Sequence, residues 1–140
     1  MVRFTDIDLL VLLIRNSRAT NVELGKKLGV SETAVRKRIK KLENKGLVKK
    51  YTLEVDQKQL GYQLDTLLGI DTQPEKYTRI LEGLKNKKHV IQLHSTSGEH
   101  TITARCWFRN TAHMAEFTRE LEKKQGVLKV TPTIILERIK

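Results

Sequence analysis

The hydrophobic rhythm of the chain predicts an α+β protein: an N-terminal helix-turn-helix (winged-helix-like) domain, a linker strand, and a C-terminal ferredoxin-like βαββαβ domain. Three observations carry this. Apolar residues recur at helical spacing through the first 50 residues, and strand-like and helix-like segments alternate from about residue 64 onward. Between them lies a polar joint ending in glycine, Asp56-Gln57-Lys58-Gln59-Leu60-Gly61. The expected divisions are a helical DNA-binding domain at 1–50, a linker strand and hinge at 51–63, and an α+β oligomerisation and effector domain at 64–140.

The first helix starts in the stretch Met1-Val2-Arg3-Phe4-Thr5-Asp6, at Thr5-Asp6-Ile7-Asp8, a capping box with aspartate in the usual place of glutamate. Ile7, Leu10, Val11 and Ile14 then recur at helical spacing, which carries the helix to about Asn16. Thr20-Asn21-Val22-Glu23 is a second capping box. It opens a helix with Val22, Leu24 and Leu28 as its apolar set, ending at Gly29. Ser31 caps the third helix, expected from Glu32 to Lys45 with Gly46 as its stop. Val30 is placed to plug the angle between the second and third helices. Leu47–Val55 alternates weakly and reads as the linker strand.

The second half offers strands at about Leu64–Asp71, Val90–Ser97, Thr101–Phe108 and Leu128–Ile139. Between them come helices at about Glu75–Asn86, with Tyr77, Ile80, Leu81 and Leu84 apolar, and Thr111–Lys124, with Met114, Phe117 and Leu121 apolar. The order is β-α-β-β-α-β. Helices on one side of such a sheet leave its other face open, and a second copy of the chain is expected to cover it.

Charge points to a polyanion partner. The 140 residues carry a formal charge of +11. Residues 1–60 hold 14 Lys/Arg against 7 Asp/Glu, and residues 61–140 hold 13 against 9, so the excess is concentrated in the helical half. Part of it is also what adaptation to heat would leave. On the third helix, Val35, Ile39 and Leu42 share one face, while Thr33, Lys37, Lys40 and Asn44 centre on the opposite one, flanked by Arg36 and Lys41. An α-helix fits the major groove of double-stranded DNA, and residues near the start of a recognition helix reach base edges. Arg36 and Lys37 are suited to guanine acceptors and Thr33 to a thymine methyl. Ser31 and Asn44 lie at the two ends of this surface, and Arg38, Lys40 and Lys41 are the expected phosphate contacts.

Several function classes find no support. The single Cys106 excludes an intramolecular disulfide, and His89, His94, His100 and His113 follow no common zinc spacing. Phosphate-binding glycine motifs and nucleophile elbows are absent, so no enzyme activity and no cofactor are expected. No apolar run approaches a membrane span and no signal peptide is read, so a cytoplasmic location is expected.

Taken together, these segments resemble the leucine-responsive regulator/AsnC (feast/famine) family of transcription regulators, in a form closest to archaeal members. The resemblance covers nearly the whole chain. It rests on Thr5-Asp6-Ile7-Asp8-Leu9-Leu10, Arg18, Glu23 to Ser31, Ala34 to Gly46, Leu60-Gly61, Ser97-Gly98 and Gly126-Val127. It implies a regulator of transcription that binds palindromic promoter sites, including genes of amino-acid metabolism and its own promoter. It also implies homodimers that assemble to tetramers or octamers, and a small amino-acid effector near the central hairpin, at Ser97, Gly98, Glu99, His100 and Thr101. This chain departs from the family there: Thr101 stands where a second acid is usual, and Val130 and Pro132 where threonines are frequent. The ligand is thus left open between a lysine-like amino acid, another amino acid and none. Two alternatives stand beside the sequence-specific regulator: a general chromatin-compacting protein, and an enzyme or sensor built on the C-terminal fold.

Overall fold

The computed structural model describes residues 4–140. Met1, Val2 and Arg3, which open the stretch read as a polar-capped start, lie outside the described residues. The chain divides into two compact units, Met1–Val55 and Asp56–Lys140.

The first unit holds α1 (Asp6–Arg15), α2 (Asn21–Leu28) and α3 (Glu32–Asn44). Both capping boxes form. The Asp8 amide donates to Thr5 Oγ1 at 3.2 Å and the Thr5 amide to Asp8 Oδ2 at 2.8 Å. The Glu23 amide likewise donates to Thr20 Oγ1 at 3.1 Å, with the Thr20 amide returned to Glu23 Oε2 at 2.9 Å. Gly29 ends α2 at φ 70°, a left-handed conformation that side-chain-bearing residues rarely adopt. The Val30 amide then donates to the Gly25 carbonyl at 2.9 Å, which closes the turn between α2 and α3.

The core of this unit is Leu9, Leu13, Leu24, Val35 and Leu42. For α1 this corrects the expected apolar face. Leu9 and Leu13 are buried, whereas Ile7 and Ile14 are 71% and 83% exposed. Nearly every residue from Ile7 to Ile14 is apolar, so sequence periodicity leaves the rotation of the helix undetermined; packing against α2 and α3 sets it. Val22, expected inward on α2, is exposed, because it lies two residues and about 200° around the helix from Leu24, whose side α2 turns to the core.

The expected linker strand is absent. Leu10, Leu13 and Ile14, which line a cavity with residues 47–52, belong to a helix and offer no ladder, and residues 47–56 lie in no strand. They are held locally instead. The Leu47 amide donates to the Leu42 carbonyl at 3.1 Å, and Ser17 Oγ donates to the Thr52 carbonyl at 3.3 Å. A single 3-10 turn, Gln57–Leu60, begins the second unit.

The second unit contains β1 (Leu64–Thr72), α4 (Tyr77–Lys85), β2 (Val90–Ser95), β3 (Ile102–Phe108), α5 (Thr111–Glu122) and β4 (Val127–Ile135). The strands form one antiparallel sheet in the order β2-β3-β1-β4. Period-two alternation divides its faces. Leu68 and Ile70 of β1, with Ile102, Ala104, Cys106 and Phe108 of β3, pack against Ile80, Leu84 and Leu121 of the helices. The opposite face carries Asp65, which receives Arg105 through two bonds of 2.9 and 2.6 Å. β4 stops at Ile135, short of the expected Ile139. Its partner β1 begins at Leu64, and Asp65 is already the residue opposite Ile135, so the register leaves only Leu64 for Leu136 and no strand for Glu137 onward.

Candidate nucleic-acid interface

α3 owes its placement to three buried or half-buried side chains, Val35, Ile39 and Leu42, that fix which side faces the unit core. Ser31 caps its start, its Oγ accepting from the Ala34 amide at 3.1 Å. The hydroxyl hydrogen stays available to a second partner. Thr33, Arg36, Lys37, Lys40, Lys41 and Asn44 are all exposed. Among the described residues, no carboxylate forms an ion pair with Lys37, Lys40 or Lys41.

The two arginines differ from those lysines. Arg36 Nη2 contacts Glu32 Oε1 at 2.7 Å, one helical turn back. Arg38 is turned to the other side of the helix. Its Nη1 meets Asp6 Oδ1 of α1 at 2.6 Å, and its guanidinium lies 4.7 Å from the centroid of the Phe4 ring. Arg38 was expected among the phosphate contacts; its charge is instead used in joining α3 to α1.

One contributor escaped the sequence reading. A cleft of about 430 Å³ runs beside α3, lined by Arg36, Ile39, Lys40, Glu43 and Asn44, and its far wall is Asn21 at the first turn of α2. The free amides at the start of a helix favour an anion. The capping box marked that helix start in the sequence, but nothing there placed it next to Arg36 and Lys40.

The central hairpin is a second, separate feature. Gly98 has φ 122° and sits with Ser97 and Glu99 at the exposed tip. His100 and Thr101 fold back onto β1: Thr101 Oγ1 donates to the Ile70 carbonyl at 3.0 Å, and His100 Nδ1 lies 3.1 Å from Asp71 Oδ1. The His100 ring covers Gly69 so closely that a Cβ there would lie 2.3 Å from it. Of the five expected effector residues, the structure thus leaves three at the tip and ties two to the sheet.

A helix-turn-helix that presents a cationic helix, on a chain whose other unit is a ferredoxin-like sheet, defines a DNA-binding transcription regulator. Comparison with known proteins narrows this. Residues 5–49 match the winged helix-turn-helix DNA-binding family, and residues 66–140 match the Lrp/AsnC ligand binding domain. The chain is 43% identical over 141 residues to the HTH-type transcriptional regulator LrpA of Pyrococcus horikoshii, covering 100% of both chains. Among solved structures, Bacillus subtilis LrpC superposes with a TM-score of 0.80 at 23% identity, covering 99% of each chain. A Neisseria meningitidis transcriptional regulator in complex with L-Met superposes at 0.82 with 24% identity, covering 100% of this chain and 93% of that one. This chain belongs to the Lrp/AsnC family of transcription regulators, and the archaeal character read from its sequence agrees with its Pyrococcus relatives.

Among the described residues, no helix is long and apolar enough to cross a membrane.

Proposed function

We propose that the protein is a sequence-specific regulator that sets α3 into the major groove of double-stranded promoter DNA. The observation that carries this is the outward face of α3, where Lys37, Lys40 and Lys41 are exposed and form no ion pair among the described residues, with Lys40 sharing a cleft with Asn21 at the start of α2. In this reading Thr33, Arg36 and Lys37 meet base edges, because they lie in the first turns of the recognition helix. Lys40, Lys41, Asn44, Ser31 and Asn21 grip phosphates on either side.

Family membership supports a finer reading. The protein works in the cytoplasm, without catalysis, on genes of amino-acid metabolism and on its own promoter. It acts as a homodimer that builds tetramers or octamers and binds palindromic sites, each protomer covering the open face of its partner's sheet. An amino acid serves as effector at the central hairpin. The bound L-Met of the Neisseria relative supports that class of ligand.

The test is a titration of the full chain against a duplex from its own promoter and a scrambled duplex of equal length, at matched salt. A preference of at least about 10³-fold is expected for specific binding. Equal affinity for both would contradict the proposal and favour general DNA compaction.

A further inference from the structure

Arg36, Lys37 and Arg38 are consecutive cations with three different surroundings. Among the described residues Lys37 forms no ion pair, Arg38 is committed to Asp6 and Phe4, and Arg36 pairs with Glu32. The Glu32–Arg36 pair is exposed, at 48% and 60%, so it adds little to folding. It does constrain geometry. The acid lies four residues before the base, the better orientation on a helix, and in the first turn, where the helix dipole favours a carboxylate. Glu32 takes a single N–H of a guanidinium that carries five, so the rest of the fork remains for another planar acceptor. A flexible arginine loses rotamer freedom when it docks on a base edge, and that loss is smaller for one already held.

We propose that Glu32 is a positioning residue for DNA reading: it pre-orients Arg36 toward a guanine edge and at the same time weakens binding to any duplex by placing a negative charge near the phosphates. This rests on the proposed role of Arg36 as a base reader. The two effects have opposite signs, which a residue that merely supports the helix would not produce.

The experiment uses the full chain and two probes: a duplex carrying the palindrome that the wild-type protein selects from a random pool, and a scrambled duplex of the same composition. Glu32→Ala is expected to lower the affinity ratio of selected to scrambled duplex by about two- to tenfold, while affinity for the scrambled duplex rises. Glu32→Gln, whose amide oxygen can still accept from Arg36, should keep most of the ratio. In an Arg36→Ala background, Glu32→Ala should leave the ratio unchanged. Equal weakening of both duplexes by Glu32→Ala, or an undiminished effect without Arg36, would overturn the positioning role. If Arg36→Ala lowers the ratio and Glu32→Ala does not, only this inference fails. If Arg36→Ala leaves the ratio untouched, the base-reading role fails with it.

Discussion

Gly25 shows how a single hydrogen can decide the geometry of the reading head. A Cβ at this position would lie 2.7 Å from the Val30 carbonyl oxygen, a backbone atom that cannot step aside without moving the turn. Alanine normally gains about 1 kcal/mol over glycine inside a helix. Here the overlap outweighs that gain, and Gly25→Ala is expected to destabilise the first unit by roughly 1–3 kcal/mol, measured by denaturant unfolding. Arg36→Ala works on the same small scale, but on binding: operator affinity should fall by roughly 1–3 kcal/mol, with relaxed choice at one base pair. Lys40→Ala should weaken selected and scrambled duplexes alike and reduce the salt dependence by about one phosphate contact. A sequence-selective loss at Lys40 would reverse the two roles. The sequence identified these side chains as outward-facing because the large apolar residues of α3, Val35, Ile39 and Leu42, define its inward stripe. It did not separate Arg38 from its neighbours, since Asp6 and Phe4 lie about thirty residues away along the chain and come together only on folding.

Among the secondary-structure elements, turns and caps were readable and orientations less so. Thr5, Thr20 and Ser31 announce helix starts through local hydrogen bonds that need no tertiary context. Rotation of α1 and pairing of residues 47–55 depend on neighbours, and both departed from expectation. The turn into β2 carries a further consequence. His89 sits edge-on to His113 at 4.4 Å between centroids and near Phe108 at 6.2 Å, and its buried Nδ1 has no hydrogen-bond partner among the described residues. Burial holds the His89 imidazole below its ordinary value of 6.5, with His113, Lys88 and Arg109 adding to the effect. The unfolded chain therefore takes up the proton first as pH falls. The stability contributed by neutral His89 is present above about pH 6.5 and is lost as the medium becomes more acidic. The unfolding midpoint of the second unit should drop between pH 7.5 and 5.5, and His89→Phe should flatten that drop. An unchanged slope in the variant would assign the acid sensitivity elsewhere.

For the molecule as a whole, the two units have separate cores, Leu9 to Leu42 in one and Leu68 to Val130 in the other. Cys106 offers a reporter for the second alone. Its thiol is fully buried, and that burial pushes its pKa up to about 12, far from the reactive thiolate. Alkylation of Cys106 should follow unfolding of the sheet and should be insensitive to Gly25→Ala. Labelling that tracked unfolding of the helical unit would mean that the units unfold together. A change of rhythm and charge in the sequence accompanies the division into two compact units. The commitment of His100 and Thr101 to the sheet was not legible there, because their contacts with Asp71 and Ile70 are not revealed by hairpin composition alone.

The most direct measurement is residue-resolved lysine acetylation of the full chain with and without its selected duplex, read by mass spectrometry. If the outward side of α3 engages the groove, Lys37, Lys40 and Lys41 lose reactivity on DNA addition, while Lys85, Lys87 and Lys88, exposed at the end of α4, keep theirs. Protection confined to the α4 lysines, with α3 as reactive as before, would contradict the account.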